Sequence, residues 1–172
     1  MGGEAEYFFG ALWPEFPPSA HLLVWTLPDR RSRWYADIAS TLSGLETLEA
    51  KLDVYFGCGL APEAMGSNRR CEAARIVAIP GLWADVDILS PIHKKQNLPP
   101  DENAAMTILE TVAEPTVIVH SGHGLQAYWL FREPWVFEDN EDRQRAAALG
   151  RLEIRAGPKP MPPPNSCSGP LP

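Results

Sequence analysis

Cysteine is scarce in this 172-residue chain, and the three that occur (Cys58, Cys71 and Cys167) stand far apart. There is no Cys-x-x-Cys step and no Cys/His cluster, so neither a zinc site nor a disulfide framework is implied, and free thiols in a reducing compartment are expected. Long apolar runs are also lacking. No stretch reaches about eighteen apolar residues, and no basic segment leads into an apolar one at the N-terminus. A cytoplasmic protein without a membrane partner follows as the expectation. The third shortage is positive charge: 15 Lys and Arg stand against 22 Asp and Glu, a formal net charge of −7. That disfavours tight, unaided binding to nucleic acid, because Lys and Arg on phosphates supply most of such affinity. It leaves room for a nucleotide-handling enzyme that works through metal ions and a local basic groove.

What the chain has in excess is proline, 18 residues unevenly spread. Its length suits one domain with a proper core and is too short for two. Residues 1–20, rich in aromatics and proline, read as an arm packed on a core that spans 21–152. Residues 153–172 read as a disordered tail, since the last 17 residues hold seven prolines and no apolar periodicity.

Within the core, His21–Leu27 predicts a strand. Ile38, Leu42, Leu45 and Leu48 mark one face of a helix over Trp34–Lys51. Asp53–Gly57 predicts a strand, and 60–72 an exposed loop. Arg75–Ile88 is an apolar run broken at Pro80-Gly81, which predicts two strand pieces or one strand with a bulge. His93–Asn97 is a basic loop. Asp101 stands where a helix N-cap belongs, ahead of the stripe Ala105, Ile108, Leu109 and Val112. Thr116–Val119 and Leu125–Phe131 flank a Ser-Gly turn as a hairpin, and Asp139–Leu152 predicts a polar helix.

Two segments carry chemistry. In Trp83-Ala-Asp-Val-Asp-Ile88, strand geometry puts Asp85 and Asp87 on one face while Val86 and Ile88 turn to the core. Their α-carbons stand roughly 6–7 Å apart. From there the carboxylates converge on divalent ions about 3.5–4 Å apart, as in two-metal phosphoryl transfer. Mg²⁺ or Mn²⁺ suits such hard oxygen ligands. The plain alternative is an exposed strand face with two solvated acids, although strands select against bare carboxylates. In His120-Ser-Gly-His-Gly-Leu-Gln-Ala-Tyr-Trp129, Gly122 and Gly124 let the backbone turn and let a phosphate come close. Ser121 and His123 add hydrogen-bonding groups, and Gln126 and Tyr128 share one face of the next strand. The plain alternative is an ordinary hairpin turn. His93 and His120 read as structural or solvated. Arg69, Arg70, Arg75, Lys94 and Lys95 are candidates for a groove beside the acids, with solvated loop charge as the simpler reading of each.

Taken together, Asp-Val-Tyr-Phe-Gly, then Leu-Trp-Ala-Asp-Val-Asp, then Val-His-Ser-Gly-His-Gly-Leu-Gln-Ala-Tyr-Trp resembles the archaeo-eukaryotic primase superfamily over roughly residues 20–150. The resemblance is to phage- and plasmid-borne members, including the RepB-type primases. It implies an α/β (α+β) core with an RNA-recognition-motif-like sheet, mixed or antiparallel, flanked by helices. It also implies metal-dependent synthesis of primers or DNA from nucleoside triphosphates on a single-stranded DNA template, with a replicative helicase as a further partner.

By position, Asp85 and Asp87 match the metal-binding motif and Ser121 the serine that contacts the incoming nucleotide. The family's histidine falls on Gln126, a donor to phosphate that carries no charge, and His123 stands nearby in the turn. The resemblance further implies a third metal-binding aspartate ahead of an Arg-Leu-Pro-Gly-Thr-like stretch. Nothing after Leu152 matches it, and Asp139 and Asp142 sit in helical context. Truncation of an enzyme gene is therefore expected, and a non-catalytic nucleotide- or single-strand-binding remnant is the alternative reading. A nuclease built on the same acids would need a general base that no histidine is placed to supply.

Overall fold

In the computed structural model, residues 2–90 and 97–154 are described. Aromatic residues at 8 and 9 with Leu12 fall on one face of a helix, α1 (Gly2–Leu12), and Trp13 follows at its end, its amide donating to the Phe9 carbonyl at 2.9 Å. Phe8, Phe9, Leu12 and Trp13 are all buried. The arm foreseen at residues 1–20 is thus largely helix, and one face of it is core. Pro14 stops α1, since the residue before a proline is pushed out of the helical region.

Among the described residues, six strands form two three-stranded sheets, every pairing antiparallel. In the first, β1 (Leu22–Leu27) lies between β2 (Arg31–Tyr35) and β3 (Asp53–Phe56). In the second, β6 (Gly124–Val136) lies between β4 (Ala78–Asp87) and β5 (Val117–His120). Isolated bridges His21↔Ala61 and Leu60↔Ala78 tie the segment between β3 and β4 to both sheets.

Between β2 and β3 runs α2 (Ile38–Glu46), whose N-terminus is capped by Asp37 Oδ1 accepting from the Ser40 amide at 2.6 Å. The helix is shorter than the periodicity suggests, because Trp34 and Tyr35 belong to β2 and Leu48 lies past its end. Gly44 has a packing reason: a β-carbon there would run into the Tyr35 ring. After β4 comes α3 (Glu102–Glu110), capped by Asp101 Oδ1 accepting from the Ala104 amide at 2.9 Å, at the position read from the sequence. The chain then continues through β5 and β6 into α4 (Asn140–Ile154).

Two layers of packing position the second sheet. One face is covered by α3, with Ala105 and Leu109 against Leu125 and Ala127, bordered by Ala84, Val86 and Ile88. The other face contributes Trp83, Val119 and Tyr128 to the main core, where they meet α1, Leu22 and Phe56. Phe8 is the hinge of this cluster, its ring edge-on at 5.3 Å to Phe56 of the first sheet and 5.3 Å to Tyr128 of the second. Edge-to-face pairs of this kind contribute about 0.5–1.5 kcal/mol each beyond their buried area.

The break at Pro80-Gly81 is a bulge. The β4–β6 register runs Ala78↔Val136 and Ile79↔Trp135, then resumes at Gly81↔Leu130. Pro80 and Pro134 both fall in the interruption, where a missing amide hydrogen costs no ladder bond. β6 therefore runs past Phe131, the end set by its apolar pattern, to Val136. No helix among the described residues is long and apolar enough to cross a membrane. Lys94, Lys95 and His93, and the tail from residue 155 onward, lie outside the described residues.

Candidate functional site

The alternation of β4 delivers Asp85 and Asp87 to the face that also carries Trp83. At the Trp83 end this face is buried in the main core, and towards Asp87 it opens: Asp85 is exposed and Asp87 half-buried. Residues directly opposite in an antiparallel pair share a face. The register Trp83↔Tyr128, Asp85↔Gln126 and Asp87↔Gly124 therefore sets the carboxylates beside the second motif, with Val119 of β5 beyond Gln126. Val86 and Ile88 turn to the α3 side, as the period-two reading requires.

Next to Asp87 stands the turn. The Ile88 amide donates to the His123 carbonyl at 3.0 Å, extending the ladder past the end of β4. Ser121 closes the turn twice, its amide donating to the Gly124 carbonyl at 3.0 Å and its hydroxyl to the same oxygen at 3.1 Å. Gly122 has φ +80°, a left-handed conformation that side-chain-bearing residues rarely adopt. Gly124 has a different reason to be glycine. A β-carbon there would collide with the Val86 carbonyl and crowd the Asp87 backbone, so β4 and β6 approach this closely only because position 124 is bare.

Gln126 is buried, at 8% exposure, and its Oε1 accepts from the Tyr128 hydroxyl at 3.2 Å. Tyr128, at 3% exposure, meets Gln126 through that hydroxyl, its ring being held by Phe8 and Phe56. The sequence-derived residues Asp85, Asp87, Ser121, Gly122, His123, Gln126 and Tyr128 thus gather at one end of one sheet.

The basic candidates do not all follow. Arg70 lies over the Trp25 ring at 5.2 Å, on the other sheet. Arg75 pairs with Glu63 at 2.6 Å near the start of β4, the end remote from Asp87. His120 faces α3, its Nδ1 3.3 Å from Glu102. Sequence reasoning passed over Trp83, which the same period-two argument places on the face of Asp85, and Phe8, for which only the helical spacing of α1 gave a signal.

Asp139 and Asp142 belong to a different structure. Asp139 Oδ1 accepts from the amides of Glu141 and Asp142, capping α4, and Asp142 accepts from the Glu138 amide and pairs with Arg145. The backbone donor first, and then Arg145, hold the Asp142 carboxyl below the usual carboxylate range. α4 is fastened to the start of β4 by Arg143 Nε donating to the Ile76 carbonyl at 2.9 Å. The length of β4 puts that end roughly 30 Å from Asp87. Among the described residues, no group of three or more His, Cys, Asp and Glu is arranged to hold a metal. Two carboxylates on one exposed strand end fit a hard cation that takes the rest of its shell from water and phosphate oxygens.

No family model and no curated protein matches the sequence. Among solved structures, the chain is similar in fold to the archaeo-eukaryotic-type domain of the cyanophage S-2L primase–polymerase. The TM-score is 0.59 at 13% identity, covering 97% of this chain and 80% of that one. The α+β architecture, two small antiparallel sheets with helices packed on them, is consistent with a primase–polymerase-like core.

Proposed function

We propose that this chain is a primase–polymerase-type nucleotidyltransferase, of the RepB-like kind found in phage, plasmid or other mobile-element replication, which joins nucleoside triphosphates on a single-stranded DNA template. The observation that carries the reading is the placement of Asp85 and Asp87 on one open strand face, opposite Gln126 and beside the Ser121–Gly124 turn. The likeness in fold to a phage primase–polymerase domain supports it.

In this reading Asp85 and Asp87 hold Mg²⁺ or Mn²⁺. When bound, such ions activate the attacking 3′ hydroxyl and neutralise charge on the triphosphate. The rest falls to the chain's own groups. Gln126 donates to a phosphate oxygen from across the ladder. The turn, with no β-carbon at the open position 122, lets the phosphates approach its backbone amides, with His123 at its exposed tip, while the bareness of Gly124 serves the approach of β4. Ser121 keeps that turn closed. Asp85 and Asp87, fixed by the β4–β6 ladder, set the position of the reacting phosphorus relative to these donors, and preorganised donors of this kind supply much of a transferase's rate enhancement. A replicative helicase is the partner such a primer synthesiser would serve.

A second reading is a nucleotide- or single-strand-binding protein without catalysis. It is favoured by the absence, among the described residues, of a third carboxylate joining the pair. One experiment separates the two. Primer synthesis and extension on single-stranded DNA with Mn²⁺ are measured for the wild-type chain and for Asp85→Ala/Asp87→Ala. Synthesis abolished by the double substitution supports the transferase. Equal signal from both proteins overturns it, and triphosphate binding without synthesis selects the second reading.

A further inference from the structure

A carboxamide has an acceptor end and a donor end, and a site that contacts phosphate needs the donor end. At Gln126 the choice is made by a neighbour. The Tyr128 hydroxyl donates to Gln126 Oε1 at 3.2 Å and so occupies the acceptor end. Tyr128 itself has little freedom to move. It is 3% exposed, with the Phe8 ring edge-on at 5.3 Å and 74° and the Phe56 ring at 6.4 Å. Gln126 is 8% exposed and lies between Asp85 on β4 and Val119 on β5, so its side chain has few other arrangements. Turned the other way, the amide would still bond the phenol, whose oxygen also accepts, but would aim a carbonyl oxygen at carboxylates and phosphates, so the arrangement with Oε1 on Tyr128 is the one that suits an anionic site.

We propose that Tyr128 is a positioning residue for nucleotide binding: its core-held hydroxyl fixes the Gln126 carboxamide so that the amide N–H₂ is presented to the triphosphate bound at Asp85 and Asp87. The inference rests on the nucleotide-binding reading above and adds to it the means by which an uncharged side chain gives a one-sided, donor-only contact. The chain of support runs from α1 through Phe8 to Tyr128 to Gln126, so a helix near the N-terminus sets the orientation of a group at the far sheet's open end.

The test is a double-substitution cycle on nucleotide affinity, with dATP and Mn²⁺ as the probe, titrated calorimetrically into the whole chain. Tyr128→Phe removes only the hydroxyl and keeps the ring among Phe8 and Phe56, so the thermal midpoint and circular dichroism stay close to wild type. It is expected to weaken dATP binding about 3- to 10-fold, the range of one lost hydrogen bond, while leaving affinity for the single-stranded template unchanged. In a Gln126→Ala background the same substitution is expected to change dATP affinity less than about twofold, because the group it positions is gone. If Tyr128→Phe leaves dATP affinity unaltered, or weakens it equally in both backgrounds, the positioning role is overturned while nucleotide binding stands. If the wild-type chain fails to bind dATP with Mn²⁺, the nucleotide-binding reading falls and this inference with it.

Discussion

Asp87 faces Gly124 across the β4–β6 ladder, and a β-carbon at 124 would strike the carbonyl of Val86, the residue next to that aspartate. The carboxylate's position and the glycine's bareness are therefore one feature. Gly124→Ala is expected to push the strands apart at the open end, costing about 1–3 kcal/mol as overpacking does. The thermal midpoint should drop and Mn²⁺ affinity should fall with it. Gly10→Ala is the matched contrast. That glycine sits in α1 with nothing within 4 Å of the added carbon, and alanine there should stabilise by about 0.5–1 kcal/mol. Chemical denaturation of the two variants checks both signs.

Phe8 carries packing for both sheets. Phe8→Ala is expected to destabilise by about 3–5 kcal/mol, the cost of deleting a buried ring and leaving a cavity. Tyr7, one residue earlier and 74% exposed, should tolerate alanine within about 0.5 kcal/mol. Urea midpoints for the pair measure the difference, and equal midpoints would refute the packing of α1.

Acid stability should depend on Asp142. Its carboxyl is held below the usual 3.8 chiefly by the Glu138 amide and next by Arg145. A carboxyl lowered in the folded state stabilises above its unfolded value, and that contribution is lost as pH falls through the lower native value. Asp142→Asn should therefore melt below wild type at about pH 6, with the gap closing as the pH drops under about 4. A constant gap across that range would contradict the assignment.

Burial pushes the Cys71 thiol up to about 11, so little thiolate is present at neutral pH and the sulfur should resist alkylation. Iodoacetamide with peptide mass spectrometry should label Cys71 at least about tenfold more slowly in the native chain than in urea. The sign for stability is opposite to that of Asp142. A raised folded value gives stability that is fully present below the unfolded thiol's value and is lost as pH climbs from there through the folded one. Replacing Cys71 by Ala should flatten that alkaline decline.

Much of this fold is legible in the sequence where local chemistry decides it. Asp101 announces the start of α3, Pro80-Gly81 announces the bulge, and period two places Asp85 and Asp87 on one face. β2 was hidden because Arg31-Ser-Arg-Trp-Tyr35 is an edge strand rich in charge, and Trp34 looked like the first turn of the helix that follows. α1 was hidden by the prolines that crowd its C-terminal side. The site was half legible. That Gln126 lies opposite Asp85 depends on the register shift between Ile79 and Gly81, and a slip of one residue would turn every side chain to the other face. No local pattern encodes that choice. Nor does any encode the burial of Tyr128, which is made by a helix more than a hundred residues away in the chain.

Among the described residues, no strand of one sheet pairs with a strand of the other. Beyond the two bridges at residues 60 and 61, a shared core joins them, with the rings of Phe8, Phe56 and Tyr128 in mutual contact at its centre. Cohesion between the halves thus combines the few backbone hydrogen bonds made by residues 60 and 61 with contacts that are dense but carry no directional bonds. Such a joint yields to a small rotation more readily than a hydrogen-bonded ladder does, and it resists separation, since opening it would wet several rings at once. Phe8→Ala, which empties the centre of that cluster, would therefore loosen both halves at once rather than either one alone.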